Sequence, residues 1–96
     1  MSIYHFGLTY NISAISTIGE IYRMYERIRG LREDKDLLQK DMADYLHCSQ
    51  VAYSRYELGL RDITTEVLIA LAKFHHTSTD YLLGLTDIEK PYPKKK

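Results

Sequence analysis

The side chains of this sequence that are best suited to chemistry lie between Gln39 and Gly59, in the segment QKDMADYLHCSQVAYSRYELG. This segment predicts two short helices joined by a tight turn. Because a helix advances roughly 100° per residue, the second helix has two distinct faces. Its packing face carries Ala52, Tyr53 and Tyr56. Its outward face carries an amide, a small apolar group, a hydroxyl and a guanidinium, on Gln50, Val51, Ser54 and Arg55. Such groups can match the edges of bases in a DNA major groove, so we expect this helix to be a recognition helix.

Five helices are needed to position that face, and the spacing of apolar residues and caps predicts all five. They run from about Ile21 to Glu33, Gln39 to Leu46, Gln50 to Leu58, Thr65 to His75, and from the cap Ser78 through Leu83. Ser49 is placed to cap the third helix, and Gly59 is placed to end it. The sequence therefore predicts an all-α domain in which the turn between the second and third helices is His47–Ser49.

Five separated segments resemble the phage-repressor or Xre-type helix-turn-helix DNA-binding family. They are ERIRGLRE at 26–33, LLQKDMADYL at 37–46, SQVAYSRYELG at 49–59, EVLIALAKF at 66–74 and STDYLLG at 78–84. The resemblance runs from about Tyr25 to Gly84, in the order and spacing of the family. It implies a compact five-helix, lambda-repressor-like DNA-binding domain with its helix-turn-helix at about 39–58.

The resemblance also implies roles for individual residues. Arg55 corresponds to a position that contacts a base or the DNA backbone, and Gln39 to one whose side chain meets a phosphate. Arg32 and Glu57 fit the spacing of an ion pair that holds the first helix against the third. The residues expected to contact DNA are Gln39, Lys40, Ser49, Gln50, Val51, Ser54, Arg55 and Arg61. The alternative for each of them is an ordinary solvated surface residue, and for the pair, two unrelated surface charges.

Two positions depart from the family pattern. His47 occupies the turn position that is usually Gly, where a positive φ costs a residue with a side chain about 1 kcal/mol, so we expect a distorted turn. Leu38 stands where Thr or Ser often caps the second helix, which removes roughly 1 kcal/mol of capping. Asp41 lies in the first turn of that helix and is expected to compensate in part through the helix dipole.

Length and composition limit the chain to one small domain. It has 96 residues and a formal net charge of zero, from 13 basic and 13 acidic residues. Nucleic-acid-binding domains usually carry more basic than acidic residues, and this chain does not. Nucleic-acid binding would therefore need basic residues clustered on one part of the surface. The single cysteine, Cys48, cannot form an internal disulfide, and neither a signal peptide nor a membrane span is recognisable, so a cytoplasmic location is expected. The predicted organisation is an extension at 1–20, a DNA-binding domain at 21–85 and a short tail at 86–96.

Residues 1–20 lie outside the resemblance and have two readings. Alternating apolar residues from Tyr4 to Ile12 are typical of an amphipathic strand, which could pair with its copy in a second protomer. The other reading is a translated leader, with Met24 as the biological start, because family members often begin near this point and codons for Gly19-Glu20 can contain a ribosome-binding sequence. In that case the native protein would begin at Met24 and lack residues 1–23.

The sequence and the resemblance together favour a DNA-binding transcriptional regulator, a repressor that acts as a homodimer on a near-palindromic operator. The last helix and its flank, with Tyr81, Leu82, Leu83 and Leu85, are the expected dimer surface. One alternative is the antitoxin of a toxin–antitoxin pair. Another is a protein-interaction module that has lost DNA binding, which the zero net charge and His47 favour. Neither His47-Cys48 nor His75-His76 matches a metal-ligand pattern, and no catalytic constellation is recognisable, so no metal, cofactor or enzyme activity is expected.

Overall fold

The computed structural model describes the backbone of residues 12–93 and the side chains of residues 21–93. Across residues 12–93 the chain forms five helices and no strand. They are α1 (Ile12–Asp34), α2 (Gln39–Leu46), α3 (Gln50–Leu58), α4 (Thr65–Phe74) and α5 (Thr79–Leu82). The predicted all-α, five-helix class is therefore confirmed. No helix in this range is both long enough and apolar enough to cross a membrane.

The first helix differs from the prediction at its N-terminal end. It begins at Ile12, so the expected start at Ile21 was wrong, and the helix runs through the predicted boundary at residue 20. The sequence ISAISTIGE at 12–20 contains no proline, and the single Gly19 costs about 1 kcal/mol relative to Ala, too little to end a helix that continues on both sides. Of the predicted strand, Ile12 is helical and the remainder lies outside the described residues. The leader hypothesis stays a prediction.

The core is built from one apolar stripe on each helix. On α1 the stripe is Met24, Ile28 and Leu31, which lie at the i, i+4, i+7 spacing of a single helical face. These side chains are buried together with those of the other helices, namely Met42, Ala43, Tyr53, Tyr56, Leu71, Ala72 and Leu82. Leu82 is fully buried, which corrects its assignment to the expected dimer surface, whereas Leu85 is 58% exposed.

Three of the helix starts use hydroxyl caps. The side chains of Ser49, Thr64 and Ser78 accept hydrogen bonds from backbone N–H groups three residues on, at 3.1, 3.2 and 3.0 Å. Leu38, at the start of α2, has no side-chain acceptor. The Asp41 carboxylate instead accepts the Leu38 N–H at 2.8 Å, so Asp41 compensates through a direct hydrogen bond in addition to its place at the positive end of the helix.

The two turns that flank α3 both require left-handed backbone. His47 has φ 56° and ψ 44°, and the Cys48 N–H reaches the Ala43 carbonyl at 3.0 Å, as in a regular helix C-terminus. The expected distortion is therefore absent, and His47 adopts the geometry that Gly would supply. Gly59 has φ 73°, and a Cβ atom there would lie 2.9 Å from the Tyr25 ring. The exit of α3 thus needs Gly both for its dihedral and for the close approach of α1.

The segment after α5 packs back on the domain. Arg27 of α1 donates to the carbonyls of Tyr81 and Thr86 at 2.5 and 2.6 Å and to the Asp87 carboxylate at 2.8 Å. Its guanidinium also lies 4.0 Å from the centroid of the Tyr81 ring. Further along, the Tyr92 hydroxyl donates to Asp80 at 2.7 Å. Residues 86–93 of the predicted tail are therefore held against α1 and α5.

His75, the residue that follows α4, is buried without a hydrogen-bond partner. Its side chain is 3% exposed and lies edge-on to the Phe74 ring. Neither ring nitrogen has a partner among the described residues. Burial lowers the pKa of His75 to about 4, and the charge of Lys35 acts in the same direction. The folded domain therefore holds this imidazole in its neutral form at neutral pH.

We expect His75 to make the domain less stable in mild acid. An unfolded imidazole titrates near pH 6.5, so between about pH 4 and 6.5 the unfolded chain binds the proton that folded His75 refuses. The free energy of unfolding should be independent of His75 above about pH 6.5 and should fall as the pH is lowered toward 4, by at most about 1.4 kcal/mol per pH unit. Urea unfolding across this range measures the slope.

The variant His75→Leu should flatten that slope, because it removes the titrating group and keeps an apolar side chain in the core. The exposed neighbour His76, which has φ 57°, provides the control His76→Asn, since Asn tolerates this dihedral. Parallel pH profiles for the wild-type protein and His75→Leu would contradict the assignment.

Candidate nucleic-acid interface

The helix-turn-helix consists of α2, the turn His47–Ser49 and α3, with the boundaries that the sequence predicted. One face of α3 is anchored in the core, where Ala52, Tyr53 and Tyr56 are at most 9% exposed. Because these residues fall on one side of the helix, the opposite side must point to solvent. The structure therefore confirms the two-faced character of this helix.

The outward face carries the predicted group of residues. Gln50, Val51 and Arg55 are exposed and Ser54 is half-buried. They line a shallow open groove of about 400 Å³, whose full lining is Gln39, Gln50, Val51, Ser54, Arg55, Leu58 and Leu60. The structure thus brings five of the eight predicted DNA-contacting residues to a single surface. Whether they contact DNA stays a prediction.

The other three predicted residues lie around this groove and already have contacts within the domain. Lys40 pairs with Asp44 one turn along α2 at 3.2 Å, and both side chains are about two thirds exposed, so the pair is free to open. Ser49 uses its Oγ to cap α3, which leaves the hydroxyl hydrogen available to an acceptor such as a phosphate. The Arg61 guanidinium lies 5.4 Å from the centroid of the Tyr56 ring, at the exit of α3.

Behind the groove lies the predicted ion pair between α1 and α3. Arg32 Nε donates to Glu57 Oε2 at 2.7 Å and Arg32 Nη2 donates to Glu57 Oε1 at 3.1 Å, a two-pronged arrangement. Arg32 Nη1 also donates to the Leu37 carbonyl at 2.8 Å. The Glu57 side chain is 2% exposed and that of Arg32 is 12% exposed. The alternative of two unrelated surface charges is therefore excluded.

A third side chain connects this buried pair to the exposed surface. Gln39 Nε2 donates to Glu57 Oε1 at 3.2 Å, so the amide that was expected to meet a phosphate has one of its two N–H groups already engaged. The second N–H remains for an outside acceptor. Burial alone would raise the pKa of Glu57, but the hydrogen bonds from Arg32 and Gln39 outweigh it and hold that pKa below its ordinary value. The ionised Glu57 carboxylate therefore links α3, on which it lies, to α1 through Arg32 and to α2 through Gln39.

Tyr53 occupies the same buried region. Its side chain is fully buried, and its hydroxyl has no hydrogen-bond partner among the described residues. Burial raises the pKa of Tyr53, and the neighbouring Glu57 acts in the same direction. The phenol therefore stays neutral, which agrees with the expectation that Tyr53 belongs to the core.

Two exposed leucines beside the groove were missed by the sequence reasoning. Leu58 is 64% exposed and Leu60 is 73% exposed, and both line the groove. Leu58 lies seven residues after Val51 and three after Arg55, so helical spacing alone extends the outward face to it. Helical spacing could therefore have identified Leu58, but it was taken only as the last apolar residue of α3 before Gly59.

Among the described residues, His47, His75, His76 and Cys48 do not assemble into a site. In the part of the chain that the structure describes, no three His, Cys, Asp or Glu side chains lie together in a metal-binding arrangement. Cys48 is half-buried and packs against the core.

Comparisons with known proteins agree with this geometry. Residues 28–82 match the helix-turn-helix family. Three relatives come from Bacillus subtilis (strain 168). The HTH-type transcriptional regulator ImmR is 34% identical over 65 residues, which cover 68% of this chain and 51% of the relative. The uncharacterized HTH-type transcriptional regulators YobD and YqaE are 31% and 37% identical, over 74% and 70% of this chain and 63% and 58% of their own lengths. The chain thus spans about half to two thirds of these relatives. No solved structure matches significantly.

Removing one partner of the buried ion pair should destabilise the domain strongly. Glu57→Ala leaves the Arg32 guanidinium without its carboxylate in a site that is largely closed to water, and such losses cost about 3 kcal/mol or more. Because Glu57 lies on α3, the variant should also loosen the outward face. Chemical unfolding measures the first effect, and a double-mutant cycle with Arg32→Ala measures the coupling between the two side chains.

The exposed pair on α2 provides the matched control. Asp44→Ala breaks the bond from Lys40 at the surface, and this should cost less than about 1 kcal/mol. If the cycle shows that the effects of the Arg32 and Glu57 changes simply add, the pair does not hold α3 in place.

Proposed function

This chain belongs to the helix-turn-helix family, and on that premise we propose that it is a sequence-specific, DNA-binding transcriptional regulator. In finer detail, we propose a repressor that binds a near-palindromic operator as a homodimer and occludes a promoter. The observation that carries the proposal is the outward face of α3, which presents polar groups on a helix held from behind by the Arg32–Glu57 pair.

The chemistry of this face suits the major groove. Arg55 can donate two parallel hydrogen bonds to the O6 and N7 of a guanine, and Gln50 can donate to and accept from an adenine. Ser54 lies between them in the groove and can bond either kind of edge. These three side chains read sequence, and the remaining predicted contacts position the protein on the DNA backbone.

Backbone contacts come from the rim of the groove. Gln39 lies at the start of α2, where unpaired backbone N–H groups favour a phosphate. Its second side-chain N–H, which Glu57 does not use, can donate to the same phosphate. Ser49, Lys40 and Arg61 add a hydroxyl and two charges around it. With a formal net charge of zero, the chain depends on these local charges, so non-specific affinity should be modest.

A second copy completes the operator-binding unit. One recognition helix covers only a few base pairs, so regulators of this design pair two domains and read half-sites about 34 Å apart. The C-terminal segment supports such a pairing, because Leu85, Ile88 and Tyr92 are each at least 58% exposed there. Contacts of Arg27 and Tyr92 hold this segment in a defined position, as a dimer surface requires.

The alternatives have their own observable outcomes. An antitoxin would bind a toxin encoded by a neighbouring gene as well as DNA. A protein-interaction module would enrich no sequence at all from a pool of random duplexes. Selection of bound DNA from such a pool by the purified protein is therefore the experiment that tests the proposal, and a recurrent near-palindromic sequence is the expected result.

We expect Arg55 to be a base-reading residue. Arg55→Ala should weaken binding to the selected operator by about 1 to 3 kcal/mol and relax specificity at one base-pair position of each half-site. Lys40→Ala is the matched control, because loss of a backbone contact weakens all sequences evenly. Affinity measurements on the operator, on its single-position variants and on random DNA separate the two. Equal losses on operator and random DNA for Arg55→Ala would assign Arg55 to the backbone.

We expect Leu85 to lie in the dimer interface. Leu85→Glu places a charge on an exposed apolar position, so it should lower operator affinity by separating the protomers while the domain stays folded. Analytical ultracentrifugation of the wild-type protein and the variant, free and on operator DNA, measures the state of assembly. Thermal unfolding at one concentration checks the fold. A wild-type protein that is strictly monomeric both free and on DNA would refute the homodimer.

A further inference from the structure

The outward face of α3 ends in apolar side chains on both sides of its polar centre. Val51, Ser54, Arg55 and Leu58 follow one another at the i, i+3, i+4, i+7 spacing of a single helical stripe. Val51 at one end is 61% exposed and Leu58 at the other is 64% exposed. Both line the same groove as Arg55, and Leu60 extends the apolar surface beyond the helix.

Exposed apolar side chains that lie beside polar groups in one groove are typical of a binding surface. The charges around the groove indicate which kind of partner. Arg55 lies within the stripe, and Lys40 and Arg61 flank α3, so the apolar positions are set among cationic groups. Such a surface is complementary to a polyanion. We therefore take double-stranded DNA as the occupant, and this step rests on the function proposed above.

In the major groove only one base presents an exposed apolar group, the C5-methyl of thymine. Seven residues along a helix separate Val51 from Leu58 by about 10 Å, which matches roughly three base pairs. We propose that Val51 and Leu58 contact thymine methyl groups on either side of the base pair read by Arg55. The half-site then has two thymine-containing base pairs about three steps apart, with the guanine read by Arg55 between them, and Leu58 is a specificity-determining residue.

Deoxyuridine tests this assignment directly, because it differs from thymidine only by the missing methyl group. After an operator has been selected with the wild-type protein, each thymine is replaced in turn by deoxyuridine. We expect two positions in each half-site at which the replacement lowers affinity by about three- to fivefold, the effect of losing one buried methyl.

The side chains are then assigned to the methyls by pairing protein and DNA variants. Leu58→Ala should weaken binding to the thymine operator by a similar factor and should abolish the effect of deoxyuridine at one position. Val51→Ala should do the same at the other. Ile69→Ala is the matched control, because Ile69 is a 42% exposed aliphatic residue on α4, outside the groove. It should retain full affinity and full sensitivity to deoxyuridine.

The outcomes separate this inference from the proposed function. Two results would overturn the thymine assignment and leave DNA binding intact. In the first, the selected operator keeps full affinity with deoxyuridine at every position. In the second, Leu58→Ala binds the operator as tightly as the wild-type protein does. In that case the exposed leucines serve another surface, such as a protein partner. Failure to enrich any sequence overturns both.

Discussion

The orientation of the outward face of α3 depends on one buried ion pair, Arg32–Glu57. Glu57 lies on α3, one residue before Leu58, and is almost completely closed to water. Its carboxylate is held by Arg32 from α1 and by Gln39 from the start of α2. A buried carboxylate needs its full set of donors, so it tolerates only a narrow range of positions for the helix that carries it. The orientation of the outward face of α3 is therefore set by charge pairing, in addition to the apolar packing of Tyr53 and Tyr56.

The same pair also bears on which charges remain at the surface of a chain with no net charge. The Arg32–Glu57 pair is internal, so its two charges compensate each other away from solvent. Among the cationic residues around the groove, Lys40 pairs with Asp44 and Arg61 lies near the Tyr56 ring. Recognition by placed hydrogen bonds and apolar contacts would then matter more than bulk attraction, and binding would be less sensitive to salt than that of a strongly basic protein.

The sequence was sufficient where local rules decide the structure. The bounds of α2 and α3, the cap at Ser49 and the two faces of α3 follow from periodicity and capping, and the structure agrees with all of them. The Arg32–Glu57 pair came from the family resemblance, since no local pattern links positions 25 residues apart. Sequence patterns did not predict features that depend on tertiary contacts or on the absence of a helix-stop signal. The segment 12–20 contains no strong helix-breaking residue. Residues 86–93 are held in part by Arg27, whose contacts lie more than fifty residues away in sequence, and in part by the bond from Tyr92 to Asp80.

The helix α1 carries both of the arginines that organise the domain. Arg32 holds α3, and Arg27, five residues earlier on the same rigid rod, holds the segment that presents Leu85 and Ile88. In a dimer joined through that segment, α1 would fix the distance between the dimer interface and the outward face of α3. The distance between the two recognition helices would then be set by α1 within each protomer. Such a protein would measure the gap between half-sites as strictly as it reads the bases within them.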